Sequence, residues 1–178
     1  CCEISEVISS SIDTPLTLLD GTPDERHALL RTRRPGFICA NYEQIVRDFI
    51  GAWSRLNVDE LLAYFTEDGV YYNMPIAPVS GHRQLRPFIA AFLKDWTATE
   101  WDILNLVSAG NVVIAERLDR TLVGDKTVNL PCCGVFEMQD GKIKVWRDYW
   151  NLDTLLSNAP KWWLEHIMSF TPEDFALD

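Results

Sequence analysis

The sequence predicts an α+β fold: a curved, mixed but mainly antiparallel sheet with helices packed on its concave face. Three observations carry that prediction. Apolar residues recur at helical spacing between Asn41 and Trp96. From Thr99 to Asn151 the period changes to two, the period of a strand. Gly110-Asn111, Gly124-Asp125 and Asp140-Gly141 punctuate that second stretch like hairpin turns.

Residues 1–40 read as an irregular arm, with Ser9-Ser10-Ser11, Pro15, Gly21, Pro23, Pro35 and Gly36 and no sustained period. A short helix over Asp24–Arg33 fits within it, and Arg31, Arg33 and Arg34 read as a solvated tether. The main domain spans 41–157. Asn41 with Gln44, and Asn57 with Glu60, have the spacing of capping pairs. The first opens a helix carrying Ile45, Val46, Phe49, Ile50, Trp53 and Leu56 on one face, and the second a short helix through Leu61, Leu62 and Phe65. A strand is expected over Val70–Met74, stopped by Pro75 and Pro78. A third helix is expected from His82 to Trp96, with Pro87 tolerated only in its first turns. Strands then follow over Thr99–Ser108, Val112–Val123, Lys126–Met138 and Lys142–Asn151. Short helices over Leu152–Leu156 and Trp162–Phe170 close the chain, the second in a tail over 158–178.

The chain has 178 residues, the size of one domain. Its 16 basic and 26 acidic residues leave a formal charge of −10, which disfavours nucleic acid and anionic lipid as partners. No apolar run approaches the roughly 20 residues that span a bilayer. His27, His82 and His166 lack metal-ligand spacing, so no metal is expected. Cys1, Cys2, Cys39, Cys132 and Cys133 are odd in number and suit no disulfide framework; they read as free thiols of a cytoplasmic protein. There is no Gly-x-Ser-x-Gly nucleophile elbow and no glycine-rich phosphate loop, so the expected chemistry needs no cofactor.

Alternation shows which side chains share a face. Arg117 and Asp119 do, as do Tyr71 with Asn73, and Asp148 with Trp146 and Trp150. A two-residue loop at Gly124-Asp125 sets Arg117 opposite Cys132 and Asp119 opposite Leu130. A three-residue loop over Gln139–Gly141 sets Asp148 opposite Cys132. Arg117 and Asp148 then stand two strand spacings apart, roughly 9.5 Å between backbones, with the small Cys132 between them. One guanidinium bridging two carboxylates is either a buried salt bridge or an acid–base site. Two such carboxylates share one titration, so one holds a proton while the other acts as a base. A Tyr and an Asn aimed at the same cavity favour the site, because both position water.

Tyr71-Tyr72-Asn73-Met74-Pro75, Glu116-Arg117-Leu118-Asp119, Gly134-Val135-Phe136, and Gly141-Lys142-Ile143 with Trp146-Arg147-Asp148-Tyr149 resemble, in that order, the limonene-1,2-epoxide hydrolase family. The resemblance runs from Tyr42 to Leu152 and implies the NTF2-like cone shared with ketosteroid isomerase. It implies one-step hydrolysis of a hydrophobic epoxide to a vicinal diol, without a covalent intermediate. Asp148 is then the base that deprotonates water, Tyr71 and Asn73 hold that water, Asp119 protonates the departing oxygen, and Arg117 holds both carboxylates. Trp53, Phe92, Trp96, Leu130, Cys132 and Trp150 are the expected substrate-binding side chains. Several are bulkier than the family pattern, and limonene oxide itself is not implied. The alternatives are an intramolecular epoxide-opening cyclase or isomerase of the same fold, and a non-catalytic binding module. The opposite sheet face, with Leu118, Leu122, Pro131, Cys133, Val135, Val145 and Tyr149, is apolar and predicts a homodimer.

Overall fold

Hairpin chemistry organises the larger part of the sheet. The computed structural model describes residues 41–169. The arm over 1–40, its expected helix at Asp24–Arg33, and the residues beyond 169 lie outside the described residues. The elements run α1 (Tyr42–Ala52), a single 3₁₀ turn (Trp53–Arg55), α2 (Val58–Ala63), β1 (Phe65–Asn73), β2 (Val79–Ser80), α3 (Gly81–Leu93), β3 (Trp96–Ala109), β4 (Val112–Val123), β5 (Lys126–Gln139), β6 (Lys142–Trp150), α4 (Leu152–Asn158) and α5 (Lys161–Met168). The sheet order is β2-β1-β6-β5-β4-β3. β1 runs parallel to β6, and every other pair is antiparallel. This is the α+β cone that the sequence predicts.

The helix starts follow their caps. Asn41 Oδ1 accepts from the Gln44 amide at 3.2 Å and Asn57 Oδ1 from the Glu60 amide at 3.1 Å. The reciprocal half of a capping box does not form at either end. Gln44 instead donates to Asp48, and Glu60 accepts two bonds from Arg55 Nε. Asn151 caps α4 in the same way, through the Thr154 amide at 2.8 Å.

Three expectations need correction. The third helix stops at Leu93 rather than Trp96. Lys94 leaves the helical region at ψ 128°, and Asp95 turns the chain at φ 67°. Trp96 therefore opens β3 opposite Val123. Phe65 belongs to β1 rather than to the short helix, and that strand is longer than Val70–Met74 at its start. The loop between β5 and β6 has two residues, not three. Asp140 and Gly141 both adopt positive φ, at 51° and 80°, the requirement of a type I′ hairpin turn.

Apolar side chains of α1, α2 and α3 meet the inner sheet face in one aromatic-rich core. Phe49 is its hub, with ring contacts to Trp53, Tyr64, Phe65, Phe136 and Trp146. A second cluster joins the far ends of β4 and β5 to Leu155, Ala159, Trp163 and Ile167 of the C-terminal helices. On the other sheet face, Leu118, Leu122, Cys133, Val135 and Val145 are half-buried, while Pro131 and Tyr149 are exposed. Among the described residues, no helix is long and apolar enough to cross a membrane.

Candidate active site

β4, β5 and β6 deliver the polar floor of a cavity in the inner face. Arg117 and Asp119 alternate onto that face of β4, and Asp148 does so from β6. Arg117 is fully buried and grips Asp119 with two bonds, Nε to Oδ1 at 2.9 Å and Nη2 to Oδ2 at 3.1 Å. The same Nη2 donates to Asp148 Oδ2. Trp146 Nε1 donates to the other Asp148 oxygen at 3.2 Å. The guanidinium lies over the rings of Trp101 and Trp146, at 4.7 and 5.5 Å from their centroids. These aromatic faces surround a cation whose Nη1 has no hydrogen-bond acceptor among the described residues.

The sequence register puts the wrong residue beneath the bridge. Arg117 does stand opposite Cys132, and Asp119 opposite Leu130. Asp148, however, pairs with Gly134, while Cys132 pairs with Trp150. The shorter loop and an irregularity between Glu137 and Met138 displace the register by two residues. An even displacement preserves the face, so Asp148 still points inward. Gly134 is what makes room for Arg117 to reach it. A Cβ there would lie 2.6 Å from Arg117 Nη1, 2.8 Å from Phe136 Cε2 and 3.1 Å from Asp148 Oδ1.

The parallel pairing of β1 with β6 brings in the remaining groups. Tyr71 stands beside Trp146 and Asn73 beside Asp148. The Tyr71 ring stacks on Trp146 with centroids 4.0 Å apart. Trp150 Nε1 donates to Asn73 Oδ1 at 2.6 Å. An indole N–H only donates, so this contact fixes which end of the amide is oxygen.

Burial pushes the Asp119 carboxyl up to about 6; Arg117 opposes that shift and the charge of Asp148 adds to it. Burial, reinforced by Asp148, raises the Tyr71 phenol well above its ordinary value, so it remains neutral. Burial also raises the Cys132 thiol, with the two carboxylates adding to the effect. Cys132 is therefore a packing thiol rather than a nucleophile. Asp119, Cys132 and Asp148 bring potential ligand atoms within 4.8 Å of one another. Arg117 already binds both carboxylates, so this donor set is committed to a guanidinium.

The cavity spans about 660 Å³, counting its open mouth. Asp119, Asp148, Tyr71 and Asn73 line it, and Arg117 lies behind them. Trp53, Phe92, Trp96, Leu130, Cys132 and Trp150 also line it. Sequence reasoning missed Trp101, Thr121 and Trp163. Thr121 was legible, since it follows Asp119 by two on one strand face. Trp101 and Trp163 gave no local signal, because pairing across β3 and the docking of α5 bring them in.

Gly134→Ala is expected to lower stability by about 1–3 kcal/mol through overpacking. Urea unfolding checks this, and unchanged stability would show that Arg117 and Phe136 have room to move.

A family model for the limonene-1,2-epoxide hydrolase catalytic domain matches residues 40–161. The epoxide hydrolase EphG of Mycobacterium tuberculosis is 30% identical over 107 residues, which cover 60% of this chain and 71% of that protein. The structure of an M. tuberculosis LEH-like epoxide hydrolase matches with a TM-score of 0.59 and 28% identity, over 65% of this chain and 86% of that one. The epoxide hydrolase/cyclase-like enzyme SalBIII, described in pyran ring formation in polyether salinomycin, shares the fold. Its TM-score is 0.57 at 16% identity, over 64% of this chain and 92% of that one. The family match covers most of the chain and includes every residue of the Arg117 constellation, so the protein belongs to the limonene-1,2-epoxide hydrolase family, as an epoxide hydrolase.

Proposed function

We propose that the protein adds water to a hydrophobic, terpene-like or cyclic epoxide and releases a vicinal diol in one step. The observation that carries this reading is the single guanidinium holding two cavity-facing carboxylates, one of them beside Asn73. Asp148 takes a proton from water while the water oxygen forms a bond to an epoxide carbon. Tyr71 and Asn73 hold that water. The epoxide C–O bond breaks, and Asp119 gives its proton to the leaving oxygen. Ring strain drives the opening, and the fixed geometry lowers the entropic part of the barrier. Afterwards Asp148 carries a proton and Asp119 has lost one. Arg117, bonded to both, is placed to stabilise the pair while the proton is returned. No residue forms a bond to substrate carbon, and the chemistry calls for no cofactor.

The apolar outer sheet face supports a homodimer through Leu118, Leu122, Val135 and Tyr149. The free thiols Cys132 and Cys133 suit a reducing cytoplasm.

Terpene, cyclic and aryl epoxides in isotopically labelled water are expected to give diol carrying one solvent oxygen. Asp148→Asn should reduce the rate by roughly 10²–10⁴-fold, the usual contribution of a positioned base. An unlabelled cyclic ether would instead assign the attack to a substrate hydroxyl. Full activity in the variant would remove Asp148 from the reaction.

The acid role of Asp119 gives a pH dependence with a definite sign. The donor must be protonated, and its carboxyl is raised to about 6. The value of kcat/KM should therefore fall as pH rises through about 6, approaching tenfold per unit. A profile flat from pH 5 to 8 would be incompatible with Asp119 as donor. Light scattering at micromolar protein should give twice the chain mass, and a monomer would exclude the dimer.

A further inference from the structure

The cavity wall holds a second polar device beyond the Arg117 constellation. Thr121 follows Asp119 on β4, and Thr99 stands opposite it on β3. Thr99 Oγ1 accepts the Trp101 indole N–H at 3.0 Å. It also lies 2.9 Å from the Arg120 carbonyl oxygen and 2.7 Å from Thr121 Oγ1. A carbonyl has no proton to give, so Thr99 must spend its only one there. Thr99 then meets Thr121 with a lone pair, and Thr121 supplies the proton. With that proton committed, Thr121 has only lone pairs left for a molecule in the cavity it lines.

The positions form a scale along β4. Thr121 lies roughly 7 Å beyond Asp119, and Val123, opposite Trp96, roughly 13 Å beyond.

We infer that the substrate is an elongated epoxide carrying a hydroxyl group, roughly 7 Å from the epoxide, that donates to Thr121. The inference rests on the cavity being the site of epoxide hydrolysis, and it names the substrate class. The hydroxyl is recognised and does not react. Thr121 shares a strand with the acid, Asp119, while the base sits two strands away on β6. The opening therefore still consumes water. The water oxygen bonds to carbon, the epoxide oxygen leaves as a second hydroxyl, and the product is a triol.

Calorimetry with three unreactive, product-like vicinal diols tests the recognition directly. Their side arms end in a hydroxyl, in its methyl ether, or in a hydrocarbon of equal length. The hydroxyl arm is expected to bind at least tenfold more tightly than the ether. Thr121→Val should bring that ratio close to one, and Thr121→Ser should retain it. Equal binding of hydroxyl and ether arms by the wild-type protein would overturn the inference, as would a preference that survives Thr121→Val. If the Val variant fails to fold, the wild-type ratio and its retention in Thr121→Ser decide. The corresponding epoxides separate the two readings. Hydroxyl preference without diol formation would sink the hydrolase mechanism and leave the recognition standing. Labelled diol without hydroxyl preference would do the reverse.

Discussion

A guanidinium with no exposure to solvent, held between two nearly buried carboxylates, is the constraint around which the site is built. Leaving any one of these charges unpaired inside the protein would be costly, by several kcal/mol. The surrounding sequence removes that cost in several places. Gly134 vacates the space that Arg117 must cross. Trp101 and Trp146 lay their ring faces toward the cation, and Trp146 also donates to Asp148. The resulting group has two acids and one base, so its ionised form carries an excess negative charge in a low-dielectric setting. Retaining one proton relieves that excess. Burial is the main cause of the upward shift of Asp119, and the charge of Asp148 adds to it.

Sheet topology then decides what surrounds the two carboxylates. The lone parallel pairing, β1 with β6, carries Tyr71 and Asn73 from an early part of the chain to the side of Asp148. Trp150, two residues past Asp148 on the same strand face, fixes the amide of Asn73. Trp146, two residues before it, stacks on Tyr71. One strand therefore supplies the carboxylate and the supports for both polar neighbours. Asp119, on β4, faces the cavity from the other side of the guanidinium.

Much of this was legible in the sequence because alternation is robust. The pleat assigns a face by parity, and parity survived a two-residue register error. Alternation therefore puts Asp148 on the correct face, although its neighbour is Gly134 and not Cys132. The error arose where local rules are weak. Gln139-Asp140-Gly141 fits either a two- or a three-residue loop, and the irregularity between Glu137 and Met138 has no marker in the residues themselves. Trp96 was misassigned for a related reason. It continues the apolar stripe of α3, and the helix is broken before it by Lys94, which leaves the helical region, and by the left-handed Asp95. Neither mistake removed a residue from the cavity, since Trp96 lines it from the start of β3. The contributions of Trp101 and Trp163 depend on long-range packing, which no local period encodes.

The polarity of the cavity wall is as informative as its shape. Aromatic and aliphatic side chains alone would favour any hydrocarbon of suitable size, and each methylene distinguishes substrates by only about 1–3 kcal/mol. A hydroxyl whose proton is already committed is a stricter filter. It rejects an acceptor and welcomes a donor, because an unmatched buried polar group carries the full cost of its desolvation. The chain Trp101–Thr99–Thr121 sets that polarity through hydrogen bonds whose directions are forced. It begins at Trp101, the same residue whose ring covers Arg117. Cation stabilisation and wall polarity are consequently built from one indole, with its face given to the guanidinium and its edge to the paired hydroxyls. A substitution there would disturb both, whereas Thr121 separates recognition from the Arg117 bridge.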